Sequence, residues 1–100
     1  MDAEDQRLDI WLWRTRFFKT RSVSADAVSG RGVRIDRSGL VRKATKPGVT
    51  IMVGDILTFR KGSDVVSVRV LDLPGRRGPA SEAQACYEPA DDDNDKRDGA

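Results

Sequence analysis

Arg7-Leu8-Asp9-Ile10-Trp11-Leu12-Trp13-Arg14-Thr15-Arg16-Phe17-Phe18-Lys19-Thr20-Arg21-Ser22 is the stretch on which the fold turns. Leu8, Trp11, Leu12 and Thr15 recur at i, i+3, i+4 and i+7, and Phe18 extends the stripe. That spacing predicts an amphipathic helix from Arg7 onward. Ile10, Trp13 and Phe17 form a second apolar strip. A helix apolar on two sides needs cover on both, or keeps one side for a ligand. Arg7, Arg14, Arg16, Lys19 and Arg21 fill the gaps and the end. Thr20-Arg21-Ser22 reads as a break, and a hydroxyl of Thr20 or Ser22 suits the N-cap of a second helix. That helix is predicted to reach about Ser29 with Val23, Ala27 and Val28 inward. It stops at Gly30-Arg31-Gly32, where a glycine takes the left-handed cap conformation. The two helices meet at a short basic elbow.

Beyond Gly32 the apolar period changes to two. Val33-Arg34-Ile35 reads as a short strand, and Asp36-Arg37-Ser38-Gly39 as a type I turn. Leu40-Val41 begins a second strand, and Lys46-Pro47-Gly48 is another turn. Val49–Val53 is apolar until Gly54-Asp55 interrupts it. Ile56–Arg60 and Val65–Leu73 alternate, with Val66, Val68 and Val70 on one face and Ser67 and Arg69 on the other. Lys61-Gly62-Ser63-Asp64 joins them as a hairpin loop. The expected class is therefore α+β: two helices, then a small, mostly antiparallel sheet. Pro74–Pro79 reads as a linker and Ala80–Tyr87 as a short helix. The expected organisation is a disordered N-terminus at 1–6, the domain at 7–73, a linker and short helix at 74–87, and a disordered acidic tail at 88–100.

The chain has 100 residues, 38% apolar and 34% charged, enough for one small core. The net charge of +2 hides a segregation: residues 7–77 hold 16 Lys/Arg against six Asp/Glu, while 78–100 hold seven acids and two bases. A block of +10 calls for an anionic partner, with nucleic acid ahead of an anionic membrane surface. The absence of His removes the commonest general base and metal ligand. The single Cys86 offers no internal disulfide and no cysteine-rich zinc site. No apolar run is long enough to cross a bilayer. Met1-Asp2-Ala3-Glu4-Asp5 lacks the basic start and apolar stretch of a secretory signal, so a cytoplasmic location is expected. Neither an enzyme nor a bound cofactor or metal is expected.

The elbow carries the sharpest chemical signal. Lys19, Thr20, Arg21 and Ser22 lie where a helix begins, where free N–H groups and the positive dipole end favour a phosphate. Arg adds bidentate phosphate geometry and the hydroxyls add neutral donors. Arg31, Arg34, Arg37, Arg42, Lys43 and Lys46 form a second basic set whose only acidic company is Asp36. Trp11, Trp13, Phe17 and Phe18 are candidate stacking platforms. Their spacing assigns Trp11 and Phe18 to the core, and Trp13 and Phe17 suit a contact with Ala80–Tyr87. Asp9 suits the first turn of a helix beside an Arg, and Asp55 ties a turn. Cys86 has no neighbouring base to activate it.

Arg7-Leu8-Asp9-Ile10-Trp11-Leu12-Trp13, Arg16-Phe17-Phe18-Lys19-Thr20-Arg21-Ser22, Gly30…Gly32-Val33, Lys46-Pro47 and Gly54-Asp55 together resemble the RNA-binding domain named for the fourth protein of the small ribosomal subunit, whose fold is the alpha-L RNA-binding motif. The two-tryptophan opening, Lys19-Thr20-Arg21 and Arg76-Arg77-Gly78-Pro79-Ala80-Ser81-Glu82-Ala83 resemble its heat-shock protein 15 branch. The match covers about residues 7–87. The resemblance implies a protein that binds structured RNA, with large-subunit ribosomal RNA on subunits carrying a nascent chain and tRNA as the target; a monomer is expected. It also implies Leu8, Trp11, Leu12 and Val33 as core. Carried over by motif position, Arg7, Lys19, Thr20, Arg21, Ser22 and Lys46 are RNA contacts; Arg16, Arg34, Arg37 and Lys43 complete the candidate set. The family often has Asn-Gly after the first strand; here Asp36-Arg37-Ser38-Gly39 replaces it, and Arg37 is the candidate for that contact. The longer basic C-terminal extension of many relatives is replaced by a short acidic end. The alternatives are a general RNA- or tRNA-binding module, or a protein-interaction adaptor using the Trp13/Phe17 strip.

Overall fold

The first helix is shorter than its apolar stripe. In the computed structural model, which describes residues 4–90, α1 spans Leu8–Arg14. Expectations for residues 1–3 and 91–100 lie outside the described residues. Thr15 closes the helix: its Oγ1 donates to the Trp11 carbonyl at 2.7 Å. Arg16 then turns left-handed at φ 67°. Its N–H donates to Trp13 O, and Phe17 N–H donates to Leu12 O. This crossed pair is a Schellman cap, with arginine where glycine usually stands. Phe17 and Phe18 therefore leave α1 rather than extend it. They reach the core from the loop, where Phe17 sits 5.1 Å from Phe59 and Phe18 6.0 Å from the same ring.

Helix α2 spans Arg21–Gly30, and Thr20 is its N-cap as expected, its Oγ1 accepting from Val23 N at 3.0 Å. Val28 faces the core, but Val23 is exposed and Ser24 takes the inward position. The reason is polar: Ser24 Oγ donates to Asp9 O at 2.7 Å, tying α2 to α1. Arg31 and Gly32 N–H groups both donate to Ala27 O, and Gly32 adopts φ 83°.

The strands are β1 Gln6–Arg7, β2 Val33–Arg37, β3 Leu40–Ala44, β4 Thr50–Ile51, β5 Ile56–Lys61, β6 Asp64–Val70 and β7 Tyr87–Pro89. Five form one antiparallel sheet in the order β3-β2-β5-β6-β7, and β1 pairs with β4. The β2–β3 turn is tighter than the expected type I. Arg37 pairs with Leu40, leaving Ser38 and Gly39 as a two-residue loop, both at positive φ (55° and 88°). This is the I′ geometry that matches strand twist. Asp36 Oδ1 supports it by accepting from Gly39 N. Likewise Lys61 and Asp64 form the last rung of β5–β6, so that loop is Gly62-Ser63 alone.

Leu8, Trp11, Leu12, Val33, Ile35, Ile51, Leu57 and Val70 fill the core between the helices and one face of the sheet. The C-terminal part differs most from expectation. Helix α3 is only Ala80–Gln84, and Tyr87–Pro89 is a strand on β6. Ala90 continues it, donating its N–H to Ser67 O, so residues 88–90 belong to the fold rather than to an acidic tail. Residues 74–79 are no free linker either. Pro74 O accepts from Gln6 Nε2 and Arg14 Nη1, Gly78 O accepts from Arg16 Nε, and Arg77 Nε donates to Trp13 O. The segment straps α1 to the sheet, erasing the expected boundary at residue 73.

Candidate nucleic-acid interface

Three segments converge on Asp9. Its N–H donates to Pro47 O, and its carbonyl accepts from Ser24 Oγ. Its carboxylate takes both Arg7 Nε and Nη2 at 3.0 Å. The start of α1, the first turn of α2 and the Lys46-Pro47 turn are thereby held at one junction. Asp9 is 3% exposed, so its charge is neutralised inside the protein rather than by solvent. That bond in turn raises the Arg7 guanidinium further above its ordinary pKa. The side chain of Arg7 remains 48% exposed, so one edge is held and the rest faces outward.

Lys19, Thr20, Arg21 and Ser22 are all exposed at this junction. Val23 N–H is taken by the Thr20 cap and Ser24 N–H by Thr20 O. The amides of Arg21 and Ser22 therefore stand at the open N-terminus, where a phosphate oxygen is the natural acceptor. Among the described residues neither Lys19 nor Arg21 forms an ion pair with any of the carboxylates that hold Arg7, Arg37, Arg69 and Arg76. Arg16 sits at the other side of the elbow, anchored to Gly78 O at 2.7 Å.

The remaining candidates are elsewhere. Arg34 and Lys43 face each other across β2–β3 on the sheet face opposite the core. Arg37 is at the far end of β2. Its Nε and Nη2 both donate to the Asp55 carboxylate at 2.9 Å, and that bond raises the guanidinium above its ordinary pKa. Asp55 is 1% exposed and also accepts from Met52 N, so Arg37 is bound to a structural carboxylate. The ten candidates thus divide into the Asp9 junction, the elbow's far side, the outer sheet face and a separate ion pair. Arg60 belongs with Arg34 and Lys43 on that outer face and was missed. Its signal was the alternation Leu57-Thr58-Phe59-Arg60, which places it with Thr58 and, by register, with Arg34.

The aromatics are committed to packing. Trp11 is buried and donates Nε1–H to Asp72 O. Phe17 lies 4.6 Å from Tyr87, the expected contact with the C-terminal segment, and Arg77 covers Trp13 at 5.9 Å. The strip on which an adaptor would dock a partner is therefore already occupied. Cys86 is buried, and burial followed by the Asp72 and Glu82 carboxylates pushes its thiol up. It is not poised as a nucleophile. Asp9 and Asp55 each face an arginine and do not form an acid–base pair. Among the described residues no helix is long and apolar enough to cross a membrane.

Comparisons with known proteins agree with this arrangement. The S4 domain matches residues 6–57, the span from β1 through the Asp9 junction to β5. Heat shock protein 15 of Escherichia coli K12 is 35% identical over 95 residues, covering 95% of this chain and 68% of that protein. The heat shock protein 15 homolog of Aeromonas salmonicida is 38% identical over 82 residues, covering 82% of this chain and 58% of its own. The structure of Vibrio cholerae heat shock protein 15, described as trimeric, superposes with a TM-score of 0.77 at 34% identity, covering 95% of this chain and 91% of that one. On sequence and fold alike, the chain belongs to the S4-domain family of RNA-binding proteins, in the group formed by heat shock protein 15 and its homologs.

Proposed function

We propose that this chain is a cytoplasmic, ribosome-associated stress protein that grips large-subunit ribosomal RNA, acting on subunits that carry a nascent chain and tRNA. The observation that carries the reading is the Asp9 junction. It fixes Arg7, the Lys46-Pro47 turn and the open N-terminus of α2 together, beside Lys19 and Arg21, which form no ion pair among the described residues. Charged donors and backbone N–H groups held in a rigid frame suit phosphates of a folded RNA, so selectivity comes from shape more than from base edges. Arg7, Arg16, Lys19, Thr20, Arg21, Ser22 and Lys46 supply the principal contacts, and Arg34 and Lys43 add to them from the sheet. Recognition is the whole of the mechanism.

Crosslinking in cells followed by sequencing of the attached RNA tests this directly. Enrichment of large-subunit ribosomal RNA, with the protein cofractionating with large subunits, is the expected result. Crosslinks spread over bulk RNA or confined to tRNA would replace the reading with a general RNA- or tRNA-binding module. The protein is proposed to act as a monomer. The Vibrio cholerae relative is trimeric, and sedimentation velocity of this chain at micromolar concentration distinguishes the two states.

A further inference from the structure

A second basic surface lies at the opposite end of α2. A groove of about 560 Å³ opens between the end of that helix and the outer face of the sheet. Arg31, Arg34, Lys43 and Arg60 line it, with Thr58 and the backbone of Gly32 between them. Each cation arrives from a different element or turn: the α2 cap, β2, β3 and β5. Register holds Arg34 opposite both Lys43 and Thr58. Gly32 makes the close approach feasible. At φ 83° it lets the Lys43 stem lie where a Cβ would sit only 2.6 Å from Lys43 Cε.

Among the described residues no carboxylate lines this groove. The acids on the surrounding elements are Asp26 on α2, Asp36 on β2 and Asp64 on β6. Asp36 is engaged with Gly39 N, and among the described residues none of the three forms an ion pair with the groove cations. Four like charges around one depression repel each other and oppose folding unless an anion occupies it. The groove is concave and its charged side chains are all of one sign, with the Thr58 hydroxyl and the apolar Phe59 and Val65 between them. That matches a sugar–phosphate backbone, whose charges repeat along its length.

We infer that this groove is a second RNA-backbone site, which takes a separate strand or segment of the RNA held at the Asp9 junction. The inference rests on the RNA-binding reading and adds its geometry. Helix α2 has ten residues, so Arg21 at its start and Arg31 beyond its end are about 15 Å apart along the axis. The helix becomes a spacer between two phosphate contacts. The protein then measures the distance between two strands, which a folded junction satisfies and a short single strand does not.

The test compares four proteins on a structured ribosomal RNA fragment across a salt series: wild type, Arg31→Gln/Arg60→Gln, Lys19→Gln/Arg21→Gln, and the charge-matched control Arg42→Gln/Lys61→Gln. The groove variant should lose tenfold or more in affinity at low salt. Its log K against log[salt] slope should flatten by roughly one to two, as expected when one or two phosphates are released. The control should change less than threefold, and circular dichroism should be unchanged in all. Equal losses in groove variant and control would overturn the inference in favour of net charge. Wild-type affinity and slope in the groove variant, with loss in the Lys19/Arg21 variant, would overturn it while leaving the junction reading intact. Loss of polyglutamate binding with RNA binding preserved would give the groove to an acidic protein partner and overturn it as well.

Discussion

Two buried carboxylates, each with a partly exposed arginine, set the chemistry at residue scale. Asp55 accepts Arg37 and Met52 N, and Asp9 accepts Arg7. Removing Arg37 leaves the Asp55 charge buried with a single backbone donor. Breaking such a pair is costly because the remaining ion is desolvated without compensation. The Arg37 side chain is 41% exposed, so water offsets part of that cost. Arg37→Ala is therefore expected to destabilise by about 2 kcal/mol, measured by urea unfolding, with RNA affinity of the folded protein changed less than threefold. Full stability with RNA binding lost would return Arg37 to the RNA contacts, in place of the family's Asn. Lys19 and Arg21 are predicted to behave oppositely. Both are exposed and bear on no buried group, so alanine at either should leave stability within about 0.5 kcal/mol. RNA binding should weaken by about 1–3 kcal/mol at each if they meet phosphate in a partly dehydrated site. Unchanged affinity in both variants would remove the elbow from the interface.

At the scale of elements, the elbow depends on a strand 70 residues later in the chain (Tyr87 against Phe17). Phe17 anchors the loop that presents Lys19, and its ring is held by Phe59 at 5.1 Å and Tyr87 at 4.6 Å. Tyr87 also meets Trp11 edge-on at 6.3 Å. Tyr87→Ala should cost about 2 kcal/mol, less than a fully buried aromatic because Tyr87 is only partly buried. It should also speed amide exchange across residues 15–20. Tyr87→Phe keeps the ring and should do neither. Exchange at the elbow that is indifferent to Tyr87→Ala would show that the Schellman cap alone holds the loop. The same dependence explains which elements were legible in the sequence. Thr20 as N-cap, the break after Gly30 and the alternation of β5 and β6 are local rules, and local residues suffice to read them. The end of α1 is not local. Arg16 stays left-handed while its Nε reaches Gly78 O, 62 residues away. The strand Tyr87–Pro89 has no alternation of its own and is selected by the free edge of β6. Among the proposed contacts, Lys19 and Arg21 were legible because a helix start attracts phosphate wherever it occurs. Arg60 was not, because the sequence alternation gives two faces without saying which one the helices cover. The sequence marks Asp9 as a helix-start acid beside an arginine, but its role as the meeting point of three segments needs Ser24 and Pro47 in place.

For the whole molecule, charge decides what the folded part meets. With about four to six phosphates neutralised, log K for structured RNA should fall against log[salt] with a slope of roughly −3 to −5. A slope near zero would detach the basic block from phosphate altogether. The acidic end is proposed as a competitor for the basic surfaces. Residues 91–100 hold Asp91, Asp92, Asp93, Asp95 and Asp98 against Lys96 and Arg97, a net −3. Ala90 is fixed to β6 through Ser67 O, so these ten residues are tethered to the sheet edge. Ten residues span at most about 35 Å, comparable to the 40 Å long dimension of the molecule. Basic side chains within that distance of Ala90 are in covalent reach, at an effective concentration on the order of millimolar for a flexible tether. The competition is weak, because the Debye length is only about 8 Å at physiological ionic strength. Deleting 91–100 should therefore tighten RNA binding roughly two- to tenfold at low salt, about 0.4–1.4 kcal/mol, and much less at physiological salt. The gain should be larger for a random-sequence RNA than for ribosomal RNA, since strong specific contacts displace the tail more completely. The deletion must begin after Ala90, because removing residues 88–90 would also take the Glu88 and Pro89 rungs of β7 and confound charge with stability. Equal affinities of full-length and truncated protein at low salt, on both RNAs, would reduce the acidic end to a solubility role.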